Sequence, residues 1–229
     1  MTVALITGAN RGIGFETARQ LLALGHTVYI GARDAERGGK AAAELGAQFV
    51  QLDVTDDASV SQALEAIGRT EGALDVLVNN AGVMATGVPD GPSALRSFDT
   101  NAVGIVRVTE AALPWLRRSA NPVVVNITSS MGSFWAVTNP ERPESTIGTA
   151  PLYAASKAAA NMLTVQYAKA EPGITFTAVE PGYTDTDMTA AMGGGRPVDE
   201  SARVVVRLVM AGAATPSGTL HDESGPLPW

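Results

Sequence analysis

A chain of 229 residues, 45% of them hydrophobic, can bury a sizeable core and fits the size range of one α/β domain. The net charge of −7, with 16 Lys and Arg against 23 Asp and Glu, speaks against a nucleic-acid surface, which needs clustered cations to neutralise phosphates; a small-molecule partner is expected. The absence of cysteine excludes disulfides, thiolate catalysis and Cys-based zinc sites, and no metal is expected, since His26 and His221 lie far apart with no ligand constellation around them.

In chain order, an apolar run from Val3 to Ile6 leads into Thr7-Gly8-Ala9-Asn10-Arg11-Gly12-Ile13-Gly14 and then into a helical pattern over Phe15–Leu24. Strand, glycine turn and helix in that order suit a dinucleotide. Glycine allows the backbone angles of a tight turn, and without a Cβ it lets a pyrophosphate approach the amides at a helix N-terminus. This beginning leaves no room for a charged leader and an apolar segment, and no apolar run approaches the ~18 residues of a membrane span. A soluble cytoplasmic protein with no membrane partner is expected.

Strand-like runs follow at Thr27–Ile30, Gln48–Leu52, Leu74–Val78, Val123–Ile127 and Thr175–Val179. Helical patterns alternate with them at Ala35–Leu45, Ala58–Arg69, Phe98–Arg117, Tyr153–Ala170 and Asp199–Met210, with Thr55, Asp56 and Asp57 offering caps before Ala58. Continuous apolarity within the strands indicates a parallel sheet covered on both faces. The expectation is an α/β fold: a Rossmann-type doubly wound parallel sheet with helices on both faces, forming a single domain over 1–229. Two segments break the rhythm, 131–150 and the glycine-rich region around Gly193–Gly195. Three successive glycines do not hold a helix cheaply, so Met188–Arg196, within 184–198, is expected to be a substrate lid.

Ligands of such sheets bind beyond the carboxyl ends of the strands. There the sequence places Asn79-Asn80-Ala81-Gly82, Thr128-Ser129-Ser130 and Pro181-Gly182, all polar or turn-forming. Tyr153 and Lys157 stand four residues apart in a helical pattern, hence on one face, one turn apart. A neighbouring ammonium favours the phenolate and is expected to lower the phenol from its reference near ~10, making it a better proton donor or acceptor. Alone, the pair reads equally as an ordinary Tyr and Lys on an exposed helix.

With these pieces in order, the sequence resembles the classical short-chain dehydrogenase/reductase family over essentially its whole length. The residues that carry the likeness are Thr7–Gly14, Asp53-Val54, Asn79-Asn80-Ala81-Gly82, Asn101, Asn126-Ile127-Thr128-Ser129, Tyr153-Ala154-Ala155-Ser156-Lys157 and Pro181-Gly182 with Thr186. The resemblance implies hydride transfer between a nicotinamide and a carbonyl or alcohol carbon. Tyr153 would be the general acid for reduction, Lys157 would hold the nicotinamide ribose and act on Tyr153, and Ser129 would hydrogen-bond the substrate oxygen. Asn101 would maintain a water-linked relay behind Lys157. Ser130 is the rival for the serine role, and aligning Asn126-Ile127 with the end of the strand favours Ser129. For the cofactor, the likeness implies Gly8, Asn10, Arg11, Gly12, Ile13 and Gly14 at the phosphates and Asp53 with Val54 at the adenine. It further implies Asn80, Ala81 and Gly82 at the adenosine ribose, and Pro181, Gly182, Thr184 and Thr186 near the carboxamide. For Asn79 a structural role and a cofactor contact stand level.

An NAD site commonly has an acid at the end of the second strand; here Ala32 and then Arg33 follow Gly31, which favours a 2′-phosphate and so NADPH, with Arg11 as a second phosphate partner. Asp34 lies one step further along, where it could cap the next helix instead. The Ser129–Tyr153 interval exceeds the family's usual spacing and resembles, in shorter form, the insertion of the carbonyl-reductase branch. That likeness favours a monomer or homodimer over a tetramer. Met131, Trp135, Tyr183 and Met188, together with Phe134 and Met192, are expected to shape an apolar pocket for a ketone, aldehyde or quinone; Phe134 and Trp135 equally suit packing of the insertion. The alternatives are an NAD-dependent alcohol dehydrogenase of the same family and a non-catalytic dinucleotide sensor.

Overall fold

The computed structural model describes residues 2–85 and 88–229; Met1, Thr86 and Gly87 lie outside the described residues. Eight strands form one sheet in the order β3-β2-β1-β4-β5-β6-β7-β8. They are β1 (Val3–Thr7), β2 (Thr27–Ala32), β3 (Gln48–Gln51), β4 (Val76–Asn79), β5 (Val123–Ile127), β6 (Thr175–Val179), β7 (Thr219–Asp222) and β8 (Gly225–Leu227). All pairings are parallel except β7 with β8, which closes one edge as an antiparallel hairpin. The expected parallel sheet is present, and the hairpin is an addition that the short, Gly- and Pro-interrupted sequence after Thr219 did not signal.

The helices are α1 (Gly12–Ala23), α2 (Ala35–Leu45), α3 (Asp57–Glu71), α4 (Gly91–Phe98), α5 (Gly104–Leu116), α6 (Phe134–Thr138), α7 (Pro151–Ala170) and α8 (Val198–Ala211). Strand residues alternate between two helical layers, as the period of two requires. Ala4 and Ile6 of β1, with Val76 and Val78 of β4, pack toward α1, α2 and α8. Val3, Leu5, Leu77 and Val124 pack the other way, toward α3 and α5, where Leu64, Ile67, Val108 and Leu116 are buried. Burying each large side chain on either face stabilises the fold by roughly 1.5–3 kcal/mol. Apolar runs with no polar alternation are the sequence trace of this two-faced burial.

One predicted helix is divided. Phe98–Arg117 begins earlier, at Gly91, where Asp90 and Ser93 form a reciprocal cap, and is interrupted by a π-helical turn over Asp99–Val103 before α5 begins. Periodicity alone does not reveal such a turn, because the wider turn adds a residue without introducing a breaker. Inside the sheet, Asn79 donates to Asn126 Oδ1 at 2.8 Å and to Thr109 at 3.3 Å, and Asn126 donates to Thr164 at 2.8 Å. These buried amides bind β4 and β5 to α5 and α7, so Asn79 takes the structural role. No described helix is long and apolar enough to cross a membrane.

Candidate active site

The strand order reverses beside β1, where connections leave toward β2 on one side and β4 on the other, and a crevice opens at the strand ends there. Gly8 has φ +64°, and a Cβ on it would stand 2.9 Å from Ala81 Cα, so the turn lies directly against the end of β4. Asn80 fastens it by donating its side-chain amide to the Thr7 and Gly8 carbonyls at 2.8 and 3.2 Å. Gly14 serves the same packing, since a Cβ there would meet Asn80 Nδ2 at 2.4 Å. Gly12, at φ +59°, is less tightly packed: the nearest heavy atom to a Cβ would be the Thr186 methyl, at the ordinary contact distance of 3.6 Å.

The start of α1 has no side-chain cap, as is true also of α5, α7 and α8. Asp34, Asp56 and Asp90 cap α2, α3 and α4 through their side chains, whereas Arg11 before α1 makes no side-chain cap. The first-turn amides of α1, with their partial positive charge, therefore border the crevice with room for an anion. That crevice is a cavity of about 980 Å³, the upper end of the usual range for a ligand site. Its walls include Gly8, Asn10, Arg11, Gly12, Ile13, Arg33, Asp53, Val54, Asn80, Ala81, Gly82, Pro181, Gly182, Thr184 and Thr186. An uncapped helix start beside glycine and a room-sized cavity fits a dinucleotide pyrophosphate.

Asp53 accepts from the Thr55 backbone and hydroxyl through one oxygen, Oδ1, at 3.0 and 2.7 Å. Arg33 is exposed on the cavity wall, while Asp34 turns away into its own helix and accepts from Arg37 N at 3.0 Å. Arg11 is ion-paired with Asp187 across the opening. Thr184 is buried, its hydroxyl bonded to the Gly182 carbonyl at 2.7 Å and to Ser201 at 2.6 Å.

At the other end of the cavity α7 presents Tyr153 and Lys157, and the turn after β5 presents Ser129 and Ser130. The turn seats closely on the helix: a Cβ on Gly132 would lie 2.6 Å from the backbone of Lys157 and Ala158. Lys157 is buried and donates to the Ile127 carbonyl at 2.8 Å, with Nζ 5.6 Å from the Tyr153 ring centre. Burial lowers its pKa to about 8, against the opposing pull of Glu180. For Tyr153, half-buried on the cavity wall, the direction is the reverse of the one expected: desolvation pushes the phenol up, the charge of Glu180 pushes the same way, and the neighbouring Ser129 works against both.

Ser129 is thus the serine beside the phenol. The Ser130 hydroxyl acts on Glu144, and its amide donates to Glu180. Asn101 lies outside the cavity walls, in the π-helical turn, where it accepts from Val83 N and donates to Val83 O, both at 2.8 Å, and to Ser156 at 2.9 Å. Ser156 in turn donates to the Tyr153 carbonyl at 2.8 Å, so Asn101 steadies the first turn of α7 against the loop after β4.

Met131, Tyr183, Met188 and Met192 line the cavity; Trp135 and Phe134 do not. Trp135 sits on α6, donates its backbone N–H to the Trp229 carbonyl at 3.0 Å and has the Arg142 guanidinium 5.8 Å from its ring centre. This corrects its assignment to the substrate pocket: its contacts are those of packing. Residues 188–196 form no helix, Gly193 and Gly194 have positive φ, and Tyr183 donates to the Gly193 carbonyl at 2.6 Å.

Sequence reasoning missed Glu180, Arg142, Glu144 and Arg196, all on the cavity wall. Arg142 makes a forked pair with Glu144 at 2.8 and 3.0 Å. Arg196 is paired with Glu223 and bonds Ser201 at 3.0 Å, tying the end of the 188–196 segment to α8 and the C-terminal hairpin. Only Glu180 carried a detectable signal, as an acid at a strand end immediately before a Pro-Gly turn.

A family model described as short chain dehydrogenase matches residues 2–196. Short-chain dehydrogenase/reductase ATR10 of Stachybotrys chlorohalonatus is 36% identical, over 97% of this chain and 88% of its own. Among solved structures, salutaridine reductase from Papaver somniferum superimposes with a TM-score of 0.86 at 28% identity, covering 96% of this chain and 99% of the other. A variant of actinorhodin polyketide ketoreductase with NADPH gives 0.84 at 28% identity, covering 98% and 96%.

Proposed function

This chain belongs to the short-chain dehydrogenase family of nicotinamide-dependent oxidoreductases, and from that premise we propose that it is an NADPH-dependent carbonyl reductase. The observation that carries the reading is the convergence of Tyr153, Lys157 and Ser129 on the wall of one cavity whose far end is the start of α1, which has no side-chain cap. The dinucleotide, when bound, supplies the hydride. The chain's own groups supply the rest. Tyr153, its phenol pushed up by desolvation, gives its proton to the carbonyl oxygen; the Ser129 hydroxyl donates to the same oxygen as negative charge develops there. The Lys157 ammonium, fixed by the Ile127 carbonyl, would hold a ribose hydroxyl of the bound dinucleotide and limit the cost of negative charge on Tyr153. Asn101 acts behind it by holding the start of α7, and a water-linked relay at this point belongs to the same proposal.

NADPH is favoured over NADH because Arg33 is the charged side chain at the β2 end that lines the cavity, while the carboxylate of Asp34 is spent on its helix. The likeness to a ketoreductase determined with NADPH supports the same choice. Met131, Tyr183, Met188 and Met192 suit an apolar ketone, aldehyde or quinone, with 188–196 as the lid. The test is initial-rate oxidation of NADPH and NADH by the purified protein over a panel of aldehydes, aromatic ketones, quinones and keto esters. Turnover that prefers NADPH is expected. Preference for NADH would favour the alcohol-dehydrogenase reading, and tight cofactor binding without turnover on any carbonyl would favour a sensor.

A further inference from the structure

Parallel strands β5 and β6 stay in register to Ile127 opposite Val179, and the Thr128 amide makes one further bond, to the Val179 carbonyl at 2.8 Å. Beyond that point the strand ends diverge around the cavity, and the next link between them is a side chain. Glu180 is anchored by its own amide to the His221 carbonyl of β7 at 2.8 Å. Its Oε2 accepts from Ser130 N at 2.5 Å and its Oε1 from Gly182 N at 2.8 Å. Ser129 is therefore bracketed, with Thr128 fastened to β6 on one side and Ser130 fastened to Glu180 on the other.

We propose that Glu180 is a positioning residue: its carboxylate clips the serine turn after β5 to the Pro181–Gly182 turn after β6 and so fixes the Ser129 hydroxyl opposite Tyr153. The reaction it serves rests on the reductase reading; the clip itself rests on geometry. A carboxylate is the side chain that can accept both amides at once, one on each oxygen. Glutamine has a single acceptor oxygen and would turn an NH₂ toward one of the two N–H groups. The titratable and charged groups facing Glu180 are Tyr153 and Lys157 from α7 and Arg142 from the 131–150 segment. Its charge raises both Tyr153 and Lys157, so it also favours the protonated phenol needed for reduction.

The experiment compares wild type with Glu180→Gln, Glu180→Ala and Glu180→Asp. Amide hydrogen exchange at Ser130 and Gly182 needs no substrate, and amides of β1 and β4 in the same spectra report whether each variant is folded. The Gln and Ala variants are expected to lose about tenfold or more of the protection at Ser130 and Gly182, with the core strands unchanged, and Asp is expected to restore part of it. On the carbonyl that wild type reduces best, kcat is expected to fall about tenfold or more in Glu180→Gln, with NADPH affinity within about threefold. The falling limb of the reductive pH profile is expected to move to lower pH, because removal of the charge lowers Tyr153 and Lys157 together. Protection at Ser130 and Gly182 equal to wild type overturns the clip. Lost protection with unchanged kcat and pH limb overturns the positioning role. A wild type that reduces no carbonyl refutes the reductase reading, and the exchange data then still decide the clip.

Discussion

The two ends of the cavity are built in different ways. The end proposed for the cofactor is made mainly of backbone: a glycine turn pressed against β4 and a helix start with no side-chain cap, held by the Asn80 side-chain amide through two carbonyls. The end proposed for the substrate is made of side chains from segments far apart in sequence, with Arg142 3.9 Å from Asp222, Arg196 pairing Glu223 and the 188–196 segment looping between β6 and α8. Backbone geometry leaves a local trace in sequence, because only certain residues permit it. Ion pairs between distant loops leave none. Tyr153 and Ser129, the groups proposed to react, sit on the seam between these two constructions.

Variants can sharpen or break this contrast. The largest effect belongs to the seam: Tyr153→Phe is expected to lower turnover by roughly 10²–10⁴-fold with cofactor affinity unchanged, measured by initial rates and by fluorescence titration with NADPH. At the backbone-built end, Gly8→Ala puts a Cβ at φ +64° and 2.9 Å from Ala81 Cα. Its cost is expected to be about 2–3 kcal/mol of stability with loss of cofactor binding, read by denaturant melts and the same titration. A variant as stable as wild type would mean that the turn is not locked as described.

Arg33→Ala is expected to weaken NADPH by about 1.5–3 kcal/mol, roughly 10–150-fold, and to leave NADH within about twofold. Equal losses for the two cofactors would contradict the 2′-phosphate assignment. Lys157→Met addresses the buried ammonium. With its pKa lowered to about 8 in the folded chain and ordinary in the unfolded one, the unfolded state binds the extra proton between those values. Wild-type stability is therefore expected to gain up to about 1.4 kcal/mol per pH unit above pH 8 from this group, and Lys157→Met is expected to lack that rise. At the side-chain-built end, Met188→Ala is expected to change KM for the carbonyl by a few-fold and leave kcat and NADPH affinity alone.

The same contrast explains what the sequence disclosed. The β-α alternation, the glycine turn and the Asp34 cap were readable because each follows from local chemistry. The π-helical turn carrying Asn101 was hidden inside a stretch with no Gly or Pro breaker between Phe98 and Val103, though Asn101 itself was named through family likeness. Trp135 looked like a pocket residue on aromatic character alone, and its packing against the C-terminal residues depends on a contact between positions 94 residues apart (229 − 135). The upward direction of the Tyr153 pKa escaped for a related reason: the nearness of Lys157 was legible from spacing, whereas the desolvation and the Glu180 charge that push the phenol up are properties of the assembled cavity.

The most direct measurement is the fate of the hydride. NADPH deuterated at the transferable nicotinamide C4 position would be incubated with wild type and with Tyr153→Phe and the best carbonyl, and the alcohol examined by mass spectrometry and NMR. The account predicts one deuterium on the carbinol carbon with wild type and at least about 100-fold less product with Tyr153→Phe, both proteins binding cofactor equally. Oxidation of NADPH that leaves no label on the carbinol carbon, or equal labelling by the two proteins, would contradict it.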